Sequence, residues 1–368
     1  MTFKITHQDN NARVGQLTTA HGVIETPFFM PVTTKATGKH ITTDDYKKAK
    51  AVISNAFLLS LRPGIEIIKS AGGLHKFMNF NKVIFTDCGG FQMSRNIFQK
   101  KTKNGLHFRN PFDYNKIILT PKKIMEIQLT INSDVAMMLD DMSSYKATKE
   151  EAKTAMENTH RWGRESLQMH QELKKQKNSK QLLFGIIQGN FYPELREESA
   201  KFINSLDFDG IAIGGIAIGE PKEEMYKAVD TVLPFITKDK PKYVMGVGSP
   251  EELLNLIERG IDCFDSVYPT QTARHNTLFT KKGKLYIDSI KYNKDFTSIE
   301  DDCQCHTCKH YTKAYLHHLT KIKEPAANRL KSIHNIHFIL NLMEETKKAI
   351  KENRFKEFKD NFIKRFKI

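Results

Sequence analysis

LLFGIIQG at 182–189 is followed by GIAIGGIAIG at 210–219, YVMGVG at 243–248 and IDCFDSVYP at 261–269. Each run is short and nearly unbroken in its apolar character, and each contains or ends on a glycine or a polar residue. Runs of this kind suit strands buried on both faces, the condition of a parallel sheet covered by helices. Four more precede them: PFFMPV (27–32), AVISNAF (51–57), KVIFTDCGG (82–90) and VAMMLDD (135–141). Helix signals lie between. Thr120 precedes Pro121, a proline tolerated in a first helical turn. Thr148 with Glu151, and Ser249 with Glu252, are spaced as capping boxes, and Gly260 suits a helix end. Strand and helix alternate, and eight strands close naturally, so the pattern predicts an α/β fold, a (β/α)8 TIM barrel with its active site at the strand C-termini.

The alternation fades near residue 280, which places the barrel in 1–280 and a metal-binding part with C-terminal helices in 281–368. KKGKLYIDSIKYNKD (281–295) reads as a basic hairpin, and Phe355, Phe358, Phe362 and Phe366 are spaced to pack one helix face against the barrel.

Lys and Arg number 57 against 42 Asp and Glu, and the net charge of +15 favours a polyanionic partner such as nucleic acid. No apolar run approaches the roughly 18 residues of a membrane span. The opening MTFKITHQDN lacks the apolar stretch of a secretory signal, so a cytoplasmic location is expected.

Cysteine occurs at 88, 263, 303, 305 and 308. An odd count with three in six positions is not a disulfide framework. Cys303, Cys305 and Cys308 on one loop suit a tetrahedral zinc site, with a fourth ligand from His334 or His337 on the amphipathic stretch that follows. The cluster lies far in sequence from the glycine-rich strand ends, so the zinc is expected to be structural.

Asp87, Asp140, Asp141 and Asp265 all fall at strand ends and are expected to converge on one barrel mouth. Paired carboxylates across a sugar can cut a glycosidic bond, one as nucleophile and one as proton carrier. Gly89-Gly90 and Gly214-Gly215 would let a flat ligand approach backbone amides, and Phe91 could stack on it.

TDCGGFQM (86–93), FGIIQGN (184–190), IAIGGIAIGE (211–220), YVMGVGSPEEL (243–253), GIDCFDSVYPTQTAR (260–274) and CQCHTC (303–308) together resemble the tRNA-guanine transglycosylase family, in order and over nearly the whole chain. The resemblance implies an irregular (β/α)8 barrel with a zinc-bearing insertion. It also implies exchange of the wobble guanine in tRNAs for Asn, Asp, His and Tyr, without ATP or a redox cofactor. By the same resemblance Asp265 is the nucleophile toward ribose C1′ and Asp87 the general acid/base. Asp140, Gln188, Gly214 and Gly215 hold the base, with Phe91 and Met245 sandwiching its ring. Asn55, Gln271 and Arg274 fall on the tRNA side, and His334, followed by Asn335, becomes the favoured zinc ligand. Tyr311, Tyr315 and His318 with Phe77 match a homodimer contact.

Two positions depart from the family pattern: Cys88 stands where serine is common, and Gln271 where arginine is usual. LDDMSS (139–144) is similar to the eukaryotic form. Ile218, however, is bulky where those enzymes carry glycine, which favours the small base preQ1 (7-aminomethyl-7-deazaguanine) over queuine. Two other functions fit parts of the sequence: a non-catalytic tRNA-binding partner subunit, and a barrel enzyme acting on a small metabolite.

Overall fold

The computed structural model describes residues 2–88 and 98–366. All eight apolar runs form strands: Phe28–Pro31 (β1), Ala51–Asn55 (β2), Val83–Asp87 (β3), Val135–Met137 (β4), Leu182–Ile187 (β5), Gly210–Ile213 (β6), Lys242–Val244 (β7) and Cys263–Ser266 (β8). They pair in parallel in the order β1-β8-β7-β6-β5-β4-β3-β2. A parallel bridge between Val32 and Ile53, with Thr33 N donating to Ile53 O at 2.7 Å, joins β1 to β2 and closes the barrel. The interior is a packed core: Phe85 meets Phe184 and Tyr243 edge-on at 5.6 and 6.1 Å.

Five helices follow strands as the alternation requires: Pro121–Ile131 (α1), Lys149–Gln176 (α2), Pro193–Ser205 (α3), Lys222–Val232 (α4) and Pro250–Glu258 (α5). The Thr148 capping box forms, with Glu151 N donating to Thr148 Oγ1 at 3.3 Å and Thr148 N to Glu151 Oε2 at 2.8 Å. The expected box at Ser249 does not. Its side chain makes no cap bond, and the Glu252 carboxylate lies instead 3.2 Å from the Lys222 ammonium.

Three features break the regular alternation. An antiparallel sheet of Phe3–Asp9, Ala12–Thr19 and Gly22–Thr26 reaches the N-terminal ends of the strands, where His21 N bonds Asp134 and Arg13 pairs with Asp262. Between β3 and α1 lies a second antiparallel sheet, Phe98–Thr102, Gly105–Arg109 and Lys116–Leu119. The third is the basic hairpin, which begins earlier than expected, pairing Thr277–Thr280 with Gly283–Tyr286.

The chain ends in a long helix, Pro325–Lys351 (α6), which packs against β1 and the N-terminal sheet, and in Phe355–Phe366 (α7). Phe355, Phe362 and Phe366 of α7 are buried, and Phe362 and Phe366 lie within 6.3 Å of Phe338, the packing role expected of that stripe.

Candidate active site and metal cluster

Asp87, Asp140 and Asp265 line one cavity of about 590 Å3 at the C-terminal mouth of the barrel. Asp87 ends β3, Asp140 follows β4, and Asp265 lies near the end of β8, so closure of the sheet brings the three together. Asp141 does not join them. It turns outward, accepting from Asn158 Nδ2 at 2.9 Å and pairing with Lys101, because successive residues of an extended chain face opposite ways.

The three acids differ in their partners. Asp265 Oδ1 accepts Tyr243 OH at 2.5 Å and Gly246 N at 3.0 Å, which leaves Oδ2 without a donor among the described residues. Gly246 reaches the carboxylate with φ at +80°, a backbone conformation that favours glycine. Burial raises the Asp265 pKa, and these two hydrogen bonds offset only part of the rise. Asp140 accepts Gln188 Nε2 at 2.7 Å and the Cys88 thiol at 3.4 Å. Asp87 Oδ1 is buried with no hydrogen-bond partner among the described residues. Burial, and then the charges of Asp265 and Asp140, push its pKa well above the usual carboxylate range. An acid with a raised pKa therefore shares one cavity with an acid held through one oxygen by two donors, an arrangement that can serve glycosidic chemistry.

The cavity wall is rigidly built. Gly215 has φ at +65°, and a Cβ there would meet Gln188 Oε1 at 2.4 Å. The carbonyls of Gly214 and Gly215 accept the buried Arg196 guanidinium at 2.8 and 3.2 Å, which fixes the loop from behind. Glu220 accepts the Ala217 and Ile218 amides at 2.5 and 2.8 Å, and Ile218 lines the cavity. Met245 and Gln271 line it too. Phe91, with Gly89 and Gly90, lies outside the described residues.

Arg274 is partly buried, and its Nη1 has no partner among the described residues. Asn55 is 1% exposed, and its Oδ1 caps the short helix Ala56–Leu59 by accepting Leu58 N at 2.8 Å.

Tyr243 and Glu220 were given no role from sequence. A tyrosine that opens an apolar run such as YVMGVG is a usable signal, because a buried phenol requires a partner. The Glu220 clasp depends on a turn that no local pattern specifies.

Cys303, Cys305, Cys308 and His334 bring their ligand atoms within 4.8 Å of one another. His334 Nε2 donates to Phe279 O at 2.7 Å, which turns Nδ1 to the three sulfurs at 3.3–3.8 Å. His337, the other candidate, has its Nε2 engaged by Asn341 at 3.0 Å. Asn335 donates to Pro269 O and Thr277 O, both at 3.0 Å, and so ties the cluster's helix to the segment after β8.

A closed parallel barrel with acids gathered at its strand C-termini, and a separate Cys3His cluster able to hold a metal ion, defines a barrel enzyme with an accessory metal site. The family model described as queuine tRNA-ribosyltransferase matches residues 8–368. A queuine tRNA-ribosyltransferase of Caldanaerobacter subterraneus is 45% identical over 358 residues, 96% of this chain and 94% of that one. The Bacillus subtilis protein of the same name is 44% identical over 362 residues, covering 98% and 94%, and that of Macrococcus caseolyticus 45% over 364, covering 98% and 95%. The chain belongs to the queuine tRNA-ribosyltransferase family and is an enzyme of that class. Among the described residues no helix is long and apolar enough to cross a membrane.

Proposed function

We propose that the protein exchanges the wobble guanine of tRNAs for Asn, Asp, His and Tyr for a 7-deazaguanine, in the cytoplasm. The observation that carries this is the single cavity shared by Asp265, whose Oδ2 meets no donor among the described residues, and Asp87, whose pKa burial and its two acidic neighbours raise. Asp265 attacks ribose C1′; the bond from C1′ to the base breaks, and its electron pair leaves with guanine, to which Asp87 gives its proton. In the second half the ionised Asp87 takes the N9 proton of the incoming base, N9 attacks C1′, and Asp265 is released. Tyr243 and the Gly246 amide hold Asp265 in place for both steps.

The Asp140 carboxylate can only accept hydrogen bonds, so it suits a purine edge carrying adjacent N–H donors, as guanine and its 7-deaza analogues do and adenine does not. Gln188 beside it and the Gly214-Gly215 turn frame that edge, and Met245 supplies an apolar face. Ile218 narrows the cavity against a large 7-substituent, which favours preQ1 over queuine. Gln271 and Arg274, on the helix after β8, face the RNA. The presence of both acids in one cavity favours an active enzyme over a non-catalytic partner subunit.

Three thiolates and an imidazole fit Zn2+ in a closed tetrahedral site, where it would brace α6 against the barrel and take no part in the chemistry. Tyr311 and Tyr315 stack at 5.5 Å with Tyr315, His318 and Phe77 exposed, an aromatic patch suited to a homodimer.

Base exchange settles the reading: unmodified tRNA labelled at the wobble guanine should lose label when guanine, preQ1, preQ0 and queuine are supplied in parallel, fastest with preQ1. Retention of label with every base would refute the activity. Release with queuine as fast as with preQ1 would refute the role of Ile218. Chelation should expose α6 to proteolysis; lost turnover with that helix still protected would make the metal catalytic.

A further inference from the structure

We infer that the outward face of the antiparallel sheet Phe98–Thr102, Gly105–Arg109 and Lys116–Leu119 is a second RNA contact surface beside the active site, one that grips phosphates and stacks an unpaired base of the substrate's loop. The inference rests on the reading above that the substrate is a tRNA. The sheet's two faces differ completely. Leu106, Phe108 and Leu119 are buried inward, with the Phe108 ring 5.0 Å from Phe57 and 5.9 Å from Phe98. The register pairs Arg109 with Lys116, His107 with Ile118 and Lys100 with His107, which puts these five residues together on the opposite face. Lys100, Arg109, Lys116 and Ile118 are exposed there.

Among the described residues nothing satisfies the charge. Residues 98–119 hold five Lys and Arg (Lys100, Lys101, Lys103, Arg109, Lys116) against one acid, Asp113. Lys101 is spent on Asp141, and Asp113 Oδ1 accepts the Asn115 amide within its own turn. The Lys100, Arg109 and Lys116 side chains make no ion pair or hydrogen bond among the described residues. At the tip Phe112 is 46% and Tyr114 71% exposed, and the Arg62 guanidinium lies over the Phe112 ring at 5.0 Å. Exposed rings next to unpaired cations match the surface that binds single-stranded nucleic acid, in which phosphates take the charge and a splayed base takes the ring. Two copies of so basic a face would repel each other, which argues against self-association through it.

The sheet borders the cavity. Lys101 Nζ donates to Met142 O at 2.9 Å, and Met142 lines the cavity that holds Asp140. A strand leaving the cavity over Met142 therefore meets this sheet, which turns a single-nucleotide pocket into a longer binding track.

The test is tRNA binding by the full-length protein across a salt series, together with steady-state exchange. Arg109→Ala with Lys116→Ala should flatten the slope of log K against log salt by about 1.4–1.8, the loss of two phosphate contacts. Phe112→Ser with Tyr114→Ser should weaken tRNA binding roughly tenfold with the salt slope unchanged. Both variants should raise KM for tRNA and leave KM for the free base as it was, and the thermal melt should not move. Wild-type affinity and slope in both variants, with guanine exchange intact, would overturn the second surface while leaving the activity standing. A change in sedimentation in place of tRNA affinity would make the face a protein interface and also overturn it. Failure of the wild-type chain to bind tRNA would remove both readings.

Discussion

At the N-terminal end of the barrel strands, Asp134 and Asp262 are buried and saturated with donors; at the C-terminal end, Asp87, Asp140 and Asp265 are half-buried around the cavity and meet fewer donors among the described residues. Asp262 accepts Arg13 Nε at 3.0 Å, Arg13 Nη2 at 2.5 Å, Thr26 Oγ1 at 3.3 Å and Lys242 N at 2.8 Å. Asp134 accepts the His21 amide and ring at 3.0 and 2.9 Å, His75 Nε2 at 2.9 Å and Ile84 N at 2.8 Å, beneath two imidazoles stacked 3.6 Å apart. Burial alone would raise the Asp134 pKa, but His75, the Ile84 amide and His21 outweigh it and hold the carboxyl below its usual range. Asp87, whose Oδ1 has no hydrogen-bond partner among the described residues and which has two acids nearby, is driven the other way. One residue type, at the two ends of one barrel, is a structural clamp where donors surround it and, in the proposed reaction, a reactive group where fewer reach it.

The contrast can be broken from either end. The largest effect is expected at the mouth: Asp265→Asn should lower exchange by at least about a thousandfold and abolish the covalent RNA adduct on a denaturing gel, with tRNA binding retained. An undiminished adduct would move the nucleophile elsewhere. At the other end, Asp262→Ala strands the Arg13 guanidinium, 4% exposed, and should cost about 3–5 kcal/mol in a denaturant melt. A loss below about 1 kcal/mol would mean that the clamp carries little of the fold.

Smaller effects sharpen the same comparison. Tyr243→Phe removes one of the two donors to Asp265 and should slow exchange about ten- to a hundredfold. It should also move the acid limb of the pH–rate profile upward, since the carboxylate loses a partner that favours its charged form; a rate loss at unchanged pH profile would assign Tyr243 to packing alone. Asp87→Asn should raise Tm by a few degrees at neutral pH. The sign follows from linkage: a carboxyl whose pKa is raised by folding costs stability once pH exceeds the unfolded value, about 4, and the cost is complete above the folded value. The gain should therefore vanish as pH falls toward 4. A gain independent of pH would point to relieved packing rather than relieved charge.

The family resemblance placed Asp87 and Asp265 together, but their difference in partners could not be read from it, because the Tyr243 phenol and the Gly246 amide reach Asp265 from 22 and 19 residues away. Asp140 and Asp141 show the limit most directly. Adjacent in the chain and identical in type, they separate because the segment that follows β4 sends one into the cavity and the other to Lys101.

The sequence alone determined the barrel, since eight short apolar runs split by helix signals leave few ways to bury both strand faces. It also determined the chemistry of the metal cluster, because three thiols in six residues declare themselves locally. The family resemblance favoured His334 over His337 and joined Asp87 to Asp265; only the tertiary structure decided that Asp141 leaves the cavity, which donors each acid meets, and how the Nε2 bond to Phe279 O turns His334 Nδ1 to the sulfurs. The physical reason is range. Burial pattern and ligand type are properties of neighbouring residues, whereas donor count and desolvation at a carboxylate are set by groups that only closure of the barrel brings together.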